Sequence, residues 1–334
     1  MGIKEIIKAS PFAPIAIKLY APLYDWKWRE RKINTGGKLN PQKTFFVCRR
    51  VSRYTGLLSD AILMLGHIDY ARKKGYIPVV DMMTYPNVQL YDDEVGKINA
   101  WEYYFKQPAD NDGKRYSLEE VFSSQNVILS DGCYCHDMPK DTTEFLKEDS
   151  LIDYWSNVWK QNIEYSDKLQ GYLCSQLNDL PQNLVGVHAR GTGYRKFTKL
   201  GSKSGGNHVQ PTVEYVLDQS ICMMVENNCD GILLATEDME YYQRFKEVLG
   251  ERLYTVDTQF IDATNIDLQF NLDTAYTTDR INDKMLRGFE YLAAMVAFSK
   301  CRIRISGINS GTIIASIMEP NVENSYYYDL GRAH

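Results

Sequence analysis

No apolar run in this chain reaches the roughly 18 residues that a membrane-spanning helix needs. The first twenty residues are interrupted by Pro11, Pro14 and lysines and hold no small-residue cleavage site, so neither a signal peptide nor an anchor is expected. Cysteine is sparse: seven residues, an odd number, scattered rather than paired, which suits a reducing compartment and points to the cytoplasm. The nearest approach to a metal pattern, Cys133-Tyr-Cys135-His136, has no second ligand pair at zinc spacing and reads as core thiols. No Gly-x-Gly-x-x-Gly follows the first strand, which argues against a dinucleotide-dependent dehydrogenase.

What is present is the composition of an ordinary globular protein, 334 residues with 44% hydrophobic and 24% charged. The net charge of −5 is unevenly spread. Eleven basic residues face three acidic ones in the first fifty, about +8, which leaves about −13 for the remainder. An acidic body excludes nucleic acid as the main partner, because neutralising phosphates takes an extended basic surface. Two readings stay open for the basic start: an arm packed across the acidic body, or, through residues 1–32 with Trp26 and Trp28 among Lys and Arg, a contact with an anionic membrane surface.

Short apolar runs alternate with amphipathic stretches, the signature of β-α-β units and parallel sheets. In a first block the strands are expected at Thr44–Cys48, Tyr76–Val80 and Asn126–Leu129. A helix with Leu58, Ile62, Leu65 and Ile68 on one face follows Gly56, capped by Ser59 or Asp60, and another runs from Ser150 to Leu177. A second block has strands at Leu184–His188, Gly231–Ala235, Arg252–Val256 and Cys301–Ile305. Its helices begin near Pro211, Asp238, Asp283 and Ser310. Ligands of such sheets collect at the carboxyl ends of the strands, so the loops after His188, Ala235 and Ile305 should converge.

Each loop carries binding chemistry. His188-Ala-Arg190-Gly191 places an imidazole and a guanidinium two residues apart, hence on one side, with glycine permitting close backbone approach, which suits a phosphate or a nucleotide. Ser306-Gly-Ile-Asn309-Ser310-Gly311-Thr312 opens a helix, where backbone N–H groups and hydroxyls make an anion site or simply a capped turn. Asp238 is a helix cap or a ribose-binding carboxylate. Glu290 falls on the apolar side of its helix and needs a partner, either guanine or one of Arg190, Arg280 and Arg287.

In order, these segments resemble the three motifs shared by the α-1,6-fucosyltransferases and the protein O-fucosyltransferases: Val187-His188-Ala-Arg190, Leu234-Ala-Thr-Glu-Asp238, and Leu286-Arg-Gly288 through Ser306 to Ser310. The resemblance covers residues 180–320 or so. The chain is also similar to bacterial surface-polysaccharide glycosyltransferases in Asn99-Ala-Trp-Glu-Tyr-Tyr-Phe-Lys-Gln-Pro108 and Tyr328-Asp-Leu-Gly331, although Gly193 stands where their pattern has Asp.

The resemblance implies a GT-B-like α/β fold of two Rossmann-like lobes facing across a cleft. It divides the chain into a basic arm (1–43), an acceptor-side lobe (44–175) and a nucleotide-sugar lobe (176–334). The activity implied is an inverting, metal-independent transfer of fucose from GDP-fucose to a glycan or lipid-linked glycan, with the GDP-sugar as donor and no cofactor. Arg190 would stabilise the leaving diphosphate; Glu290, singled out by its place on the helix and not by the resemblance, is the second candidate at the reacting centre. His188, Gly191, Asp238, Ser306, Asn309, Ser310, Gly311 and Thr312 would surround the nucleotide. In the first lobe, Trp101, Glu102, Tyr103 and Tyr104 form the expected sugar platform. Another GDP-activated deoxy sugar or heptose, or a nucleotide-sugar-binding protein without turnover, are the alternatives.

Overall fold

A computed structural model describes residues 28–52, 55–140, 142–191, 208–262 and 278–331. It contains two sheets. The first has strands β1 (Arg31–Ile33), β2 (Leu39–Arg49), β3 (Ile77–Asp81) and β4 (Ser124–Leu129) in the order β1-β4-β2-β3. β2 pairs in parallel with both β3 and β4, and only the edge strand β1 runs antiparallel. The second sheet is parallel throughout and joins β5 (Leu184–His188), β6 (Gly231–Ala235), β7 (Leu253–Tyr254), β8 (Ile303–Gly307) and β9 (Asn324–Tyr328) in the order β7-β6-β5-β8-β9. Every residue of β5, β6 and β8 is buried, as a parallel sheet covered on both faces requires.

Strand order reverses beside β5, so the chain leaves the ends of β5 and β8 in opposite directions and opens a crevice there. The first sheet has an equivalent point between β2 and β4. The turn that follows β2 and the loops that follow β5, β6 and β8 border one cleft, so the two sheets form the two lobes of an α/β fold.

Ten helices flank the sheets among the described residues: α1 (Leu57–Lys73), α2 (Trp101–Tyr104), α3 (Leu118–Phe122), α4 (Thr143–Leu146), α5 (Asp149–Asn162), α6 (Asp167–Leu177), α7 (Val213–Glu226), α8 (Met239–Leu249), α9 (Asp283–Ser299) and α10 (Ser310–Met318). The α1 helix is apolar nearly all round and lies inside the core, and its N-cap is Gly56 with no side-chain cap, in place of the expected Ser59 or Asp60. The single helix expected from Ser150 to Leu177 is two. Residues 163–166 instead pair with 104–106, through Lys106 N–H to Glu164 O at 2.8 Å and Ser166 N–H to Tyr104 O at 2.9 Å. Ser166 then caps α6 by accepting from Leu169 N–H at 3.2 Å.

One apolar cluster runs from α1 and α2 through α5 and α6 to α9 and α10, so the lobes share a core. Arg304, on β8 and 1% exposed, donates from Nη2 to Ser299 O and Glu319 O, both at 2.6 Å, and so neutralises the carboxyl ends of α9 and α10 together. Residues 1–27 lie outside the described part, and with them most of the segment offered as a membrane contact. Residues 28–33 pack on the first lobe. Trp28 meets Tyr85 edge-on at 5.3 Å, and buried Arg49 donates to Trp28 O at 3.2 Å.

Candidate functional site

A cleft of about 490 Å³ lies between the lobes. The first lobe contributes Thr55–Ser59, where β2 turns into α1, and Val88, Gln89, Tyr91 and Tyr104. The second contributes the loops after β5, β6, β7 and β8 and one side of α9 from Asp283 to Met295. The convergence expected at the strand ends is therefore present.

His188 and Arg190 both border the cleft. The imidazole is 4% exposed, and burial, reinforced by the Arg190 charge, pushes its pKa down to about 3. Its Nδ1 lies 3.4 Å from Thr312 Oγ1, whose own proton goes to Gly307 O at 2.7 Å. The ring is therefore neutral, with Nδ1 turned toward a hydroxyl. A neutral imidazole brings no positive charge to the cleft, so Arg190 is the charged group of this loop.

The titration of His188 has a measurable consequence. A histidine whose folded pKa is depressed contributes its full share above the unfolded value near 6.5, and that share is lost as pH falls toward the folded value. Between pH 7.5 and 5 the stability advantage of the wild type over His188→Asn is expected to shrink by about 2 kcal/mol. Using the difference cancels the titrations of His67 and Asp60. Urea unfolding at the two pH values checks it, and a constant difference would contradict a buried neutral ring.

At the third loop the structure sorts the expected phosphate ligands into two groups. Asn309 caps α10, its Oδ1 accepting from Gly311 N–H at 2.9 Å and Thr312 N–H at 3.2 Å. Asn309, Ser310 and Gly311 border the cleft. Ser306 and Thr312 do not: they are 0% and 1% exposed and bonded to each other at 3.2 Å. Their hydroxyls point inward because the cap turns the start of α10 toward β8, so they support His188 and the turn from behind.

Asp238 is corrected in the same way. It is 2% exposed and caps α8, accepting from Glu240 N–H at 2.8 Å and Tyr241 N–H at 3.3 Å. Gly191 lies buried beneath it, where a β-carbon would stand 1.9 Å from Asp238 Oδ2. The neighbouring Glu237 is exposed and reaches the cleft in its place. An acidic pair at a helix start divides by register: the cap position turns in, and the residue before it turns out.

Glu290 borders the cleft, and its partner is Arg280, one of the possibilities left open by the sequence. Arg280 also bonds Asp283 at 2.9 Å, and Arg287 Nε lies 2.8 Å from Asp283 Oδ2. Burial alone would raise Asp283, but the Thr278 hydroxyl and the two guanidinium groups outweigh it and hold the carboxyl below its ordinary range. Lys284 and Tyr291 on the same helix also border the cleft, and pattern reading does not single them out.

The aromatic platform is corrected. Trp101 is fully buried, donating from Nε1 to Lys106 O at 3.2 Å, and its ring belongs to the core. Glu102 accepts from Gln107 Nε2 at 2.9 Å, and Tyr103 is half-buried with its hydroxyl 3.5 Å from Glu94. Neither lines the cleft; of the four, only Tyr104 does. Gly193 falls outside the described residues.

No group of three or more potential metal ligands is present among the described residues. Asp110-Asn111-Asp112, an Asp-x-Asp spacing that the sequence reading passes over, is a turn. Its Asp110 accepts from the N–H groups of Asp112 and Lys114 at 3.0 and 2.9 Å and from Lys43 Nζ at 2.6 Å.

No protein-family profile matches the chain, and no curated protein does. Solved structures do. The NodZ fucosyltransferase from Bradyrhizobium aligns with a TM-score of 0.53 at 14% identity, covering 87% of this chain and 97% of that one. NodZ α-1,6-fucosyltransferase soaked with GDP-fucose aligns at 0.51 and 14% over the same shares, and its co-crystal with GDP at 0.51 and 13% over 86% and 95%. The chain therefore has the two-lobed fold of these fucosyltransferases.

Proposed function

We propose that this protein is a glycosyltransferase that uses a GDP-activated sugar, with GDP-fucose the leading donor, and transfers it with inversion and without a metal to a glycan or lipid-linked glycan acceptor. The carrying observation is the cleft itself. At the switch point of the parallel sheet it brings Arg190 together with the amino-terminal turn of α10, in a fold shared with enzymes solved with GDP and GDP-fucose.

As the glycosidic bond to phosphate breaks, negative charge builds on the departing diphosphate. A guanidinium, a serine hydroxyl and the positive end of a helix are groups that stabilise such charge without reorganising. Arg190 and Ser310 take that role. Glu290 is the carboxylate that Arg280 holds at the wall beside them. A cytoplasmic enzyme building a bacterial surface glycan fits this reading.

At a hundredfold excess over its dissociation constant, GDP is expected to stabilise the protein by roughly 3 kcal/mol, while UDP and NAD leave its thermal midpoint unchanged. Equal shifts from all three would refute a guanine-specific site. Rates of sugar release across GDP-fucose, other GDP-deoxy sugars and GDP-heptose rank the donors, and ordinary transfer rates from any of them exclude a purely binding role.

A further inference from the structure

Tyr291 stands on the side of α9 that borders the cleft, one turn beyond Arg287 and two beyond Lys284, at the spacing that keeps helical side chains on one face. The charges along that face are engaged. Lys284 Nζ donates to Leu90 O at 2.6 Å, Arg287 Nε lies 2.8 Å from Asp283 Oδ2, and the neighbouring carboxylate of Glu290 is paired with Arg280. Tyr291 is half-buried and carries the stripe on to α10.

What a side chain at Gly311 would meet locates the Tyr291 hydroxyl. A β-carbon there would stand 2.5 Å from Tyr291 Oη, 2.8 Å from His188 Cε1 and 3.0 Å from Asn309 Oδ1. Gly311 lies in the first turn of α10 and is not among the glycines with positive φ, so no left-handed conformation calls for glycine. Its role is close approach. The phenol oxygen therefore lies against the amino-terminal turn of α10, and both Tyr291 and Gly311 border the cleft.

We propose that Tyr291 is a ligand of the donor's diphosphate, its Oη–H donating to a non-bridging oxygen at the first turn of α10. The proposal rests on the transferase reading above. The surroundings decide the class of ligand. The amino end of α10 is positively polarised, Ser310 adds a hydroxyl and Arg190 a guanidinium to the same cleft, and the ring of His188 is neutral. A group that only accepts hydrogen bonds suits a wall of donors. An O–H on a phosphate oxygen makes a charge-assisted bond, roughly twice as strong as one between neutral groups. Tyr291 keeps its proton throughout and makes or breaks no covalent bond.

Calorimetry on the full-length protein with GDP and with inorganic pyrophosphate, and ligand-observed NMR with guanosine, test the assignment. Tyr291→Phe keeps the ring and loses only the hydroxyl. It is expected to bind GDP and pyrophosphate about tenfold more weakly than the wild type, and guanosine within about twofold. Unchanged GDP affinity in Tyr291→Phe overturns the proposal and leaves the transferase reading standing. Guanosine binding that falls as far as GDP binding reduces Tyr291 to a packing role and overturns it too. A wild type that binds pyrophosphate through Tyr291 but not GDP counts against the GDP-sugar reading alone, and one that binds neither overturns both.

Discussion

Arg190→Ala is expected to abolish the GDP-induced rise in melting temperature and to lower sugar transfer by about 10²- to 10³-fold. The size follows from where the residue stands. It leaves the end of β5 at the switch point and borders the cleft beside a histidine that burial keeps neutral. Lys284 is already engaged with Leu90 O, and Arg287 with Asp283, so neither makes good the loss. Arg190→Lys is expected to recover part of the GDP shift and little of the transfer, because an ammonium cannot grip two phosphate oxygens in one plane. Calorimetry with GDP and a transfer assay on both variants decide the matter. Full GDP affinity in Arg190→Ala would remove Arg190 from the site.

The second large effect is expected far from any charge. A β-carbon on Gly288 would stand 2.3 Å from both Cε1 and the hydroxyl oxygen of Tyr104. That ring is wholly buried, packed edge-on against Phe289 at 5.9 Å, and its hydroxyl lies 3.4 Å from Lys284 O. It has nowhere to swing. Gly288→Ala therefore pushes α9 away from α2, at a cost of about 1–3 kcal/mol for overpacking. Both Lys284 and Glu290 ride on the displaced helix, so GDP affinity is expected to fall along with the melting temperature. Gly171→Ala in α6, where nothing lies within 4 Å of the added carbon, serves as the control and is expected to gain up to about 1 kcal/mol. If the two variants melt alike, the close approach of α9 to Tyr104 is wrong.

Legibility in the sequence follows the range of the forces involved. The bounds of β5 and β6 were readable to the residue, because a continuous apolar run between turn residues has one stable home, a covered parallel sheet. The edge strands β1 and β9 were not, since Arg31–Ile33 and the tyrosine-rich Asn324–Tyr328 show no apolar alternation and owe their pairing to their neighbours. His188, Arg190 and the turn at Asn309 were legible because strand ends and helix starts declare themselves locally. Which hydroxyl in that turn faces the cleft was not, because Asn309 decides it through cap geometry. Gln89 and Tyr91 sat in an irregular stretch with no period to mark them, and only the approach of Lys284 from the other lobe gives them a setting. Trp101 failed for the opposite reason. An aromatic cluster has the same composition in a sugar platform and in a core.

The buried Arg304 bears on how this protein would change under selection. Its guanidinium joins the two helices at the ends remote from the cleft, so a change at position 304 alters the angle between α9 and α10 and, by leverage, the spacing of Glu290 and Ser310 at the other end. Laboratory evolution toward a bulkier or slimmer donor sugar should accordingly collect substitutions around Ser299, Arg304 and Glu319, out of reach of any substrate, as readily as in the cleft wall.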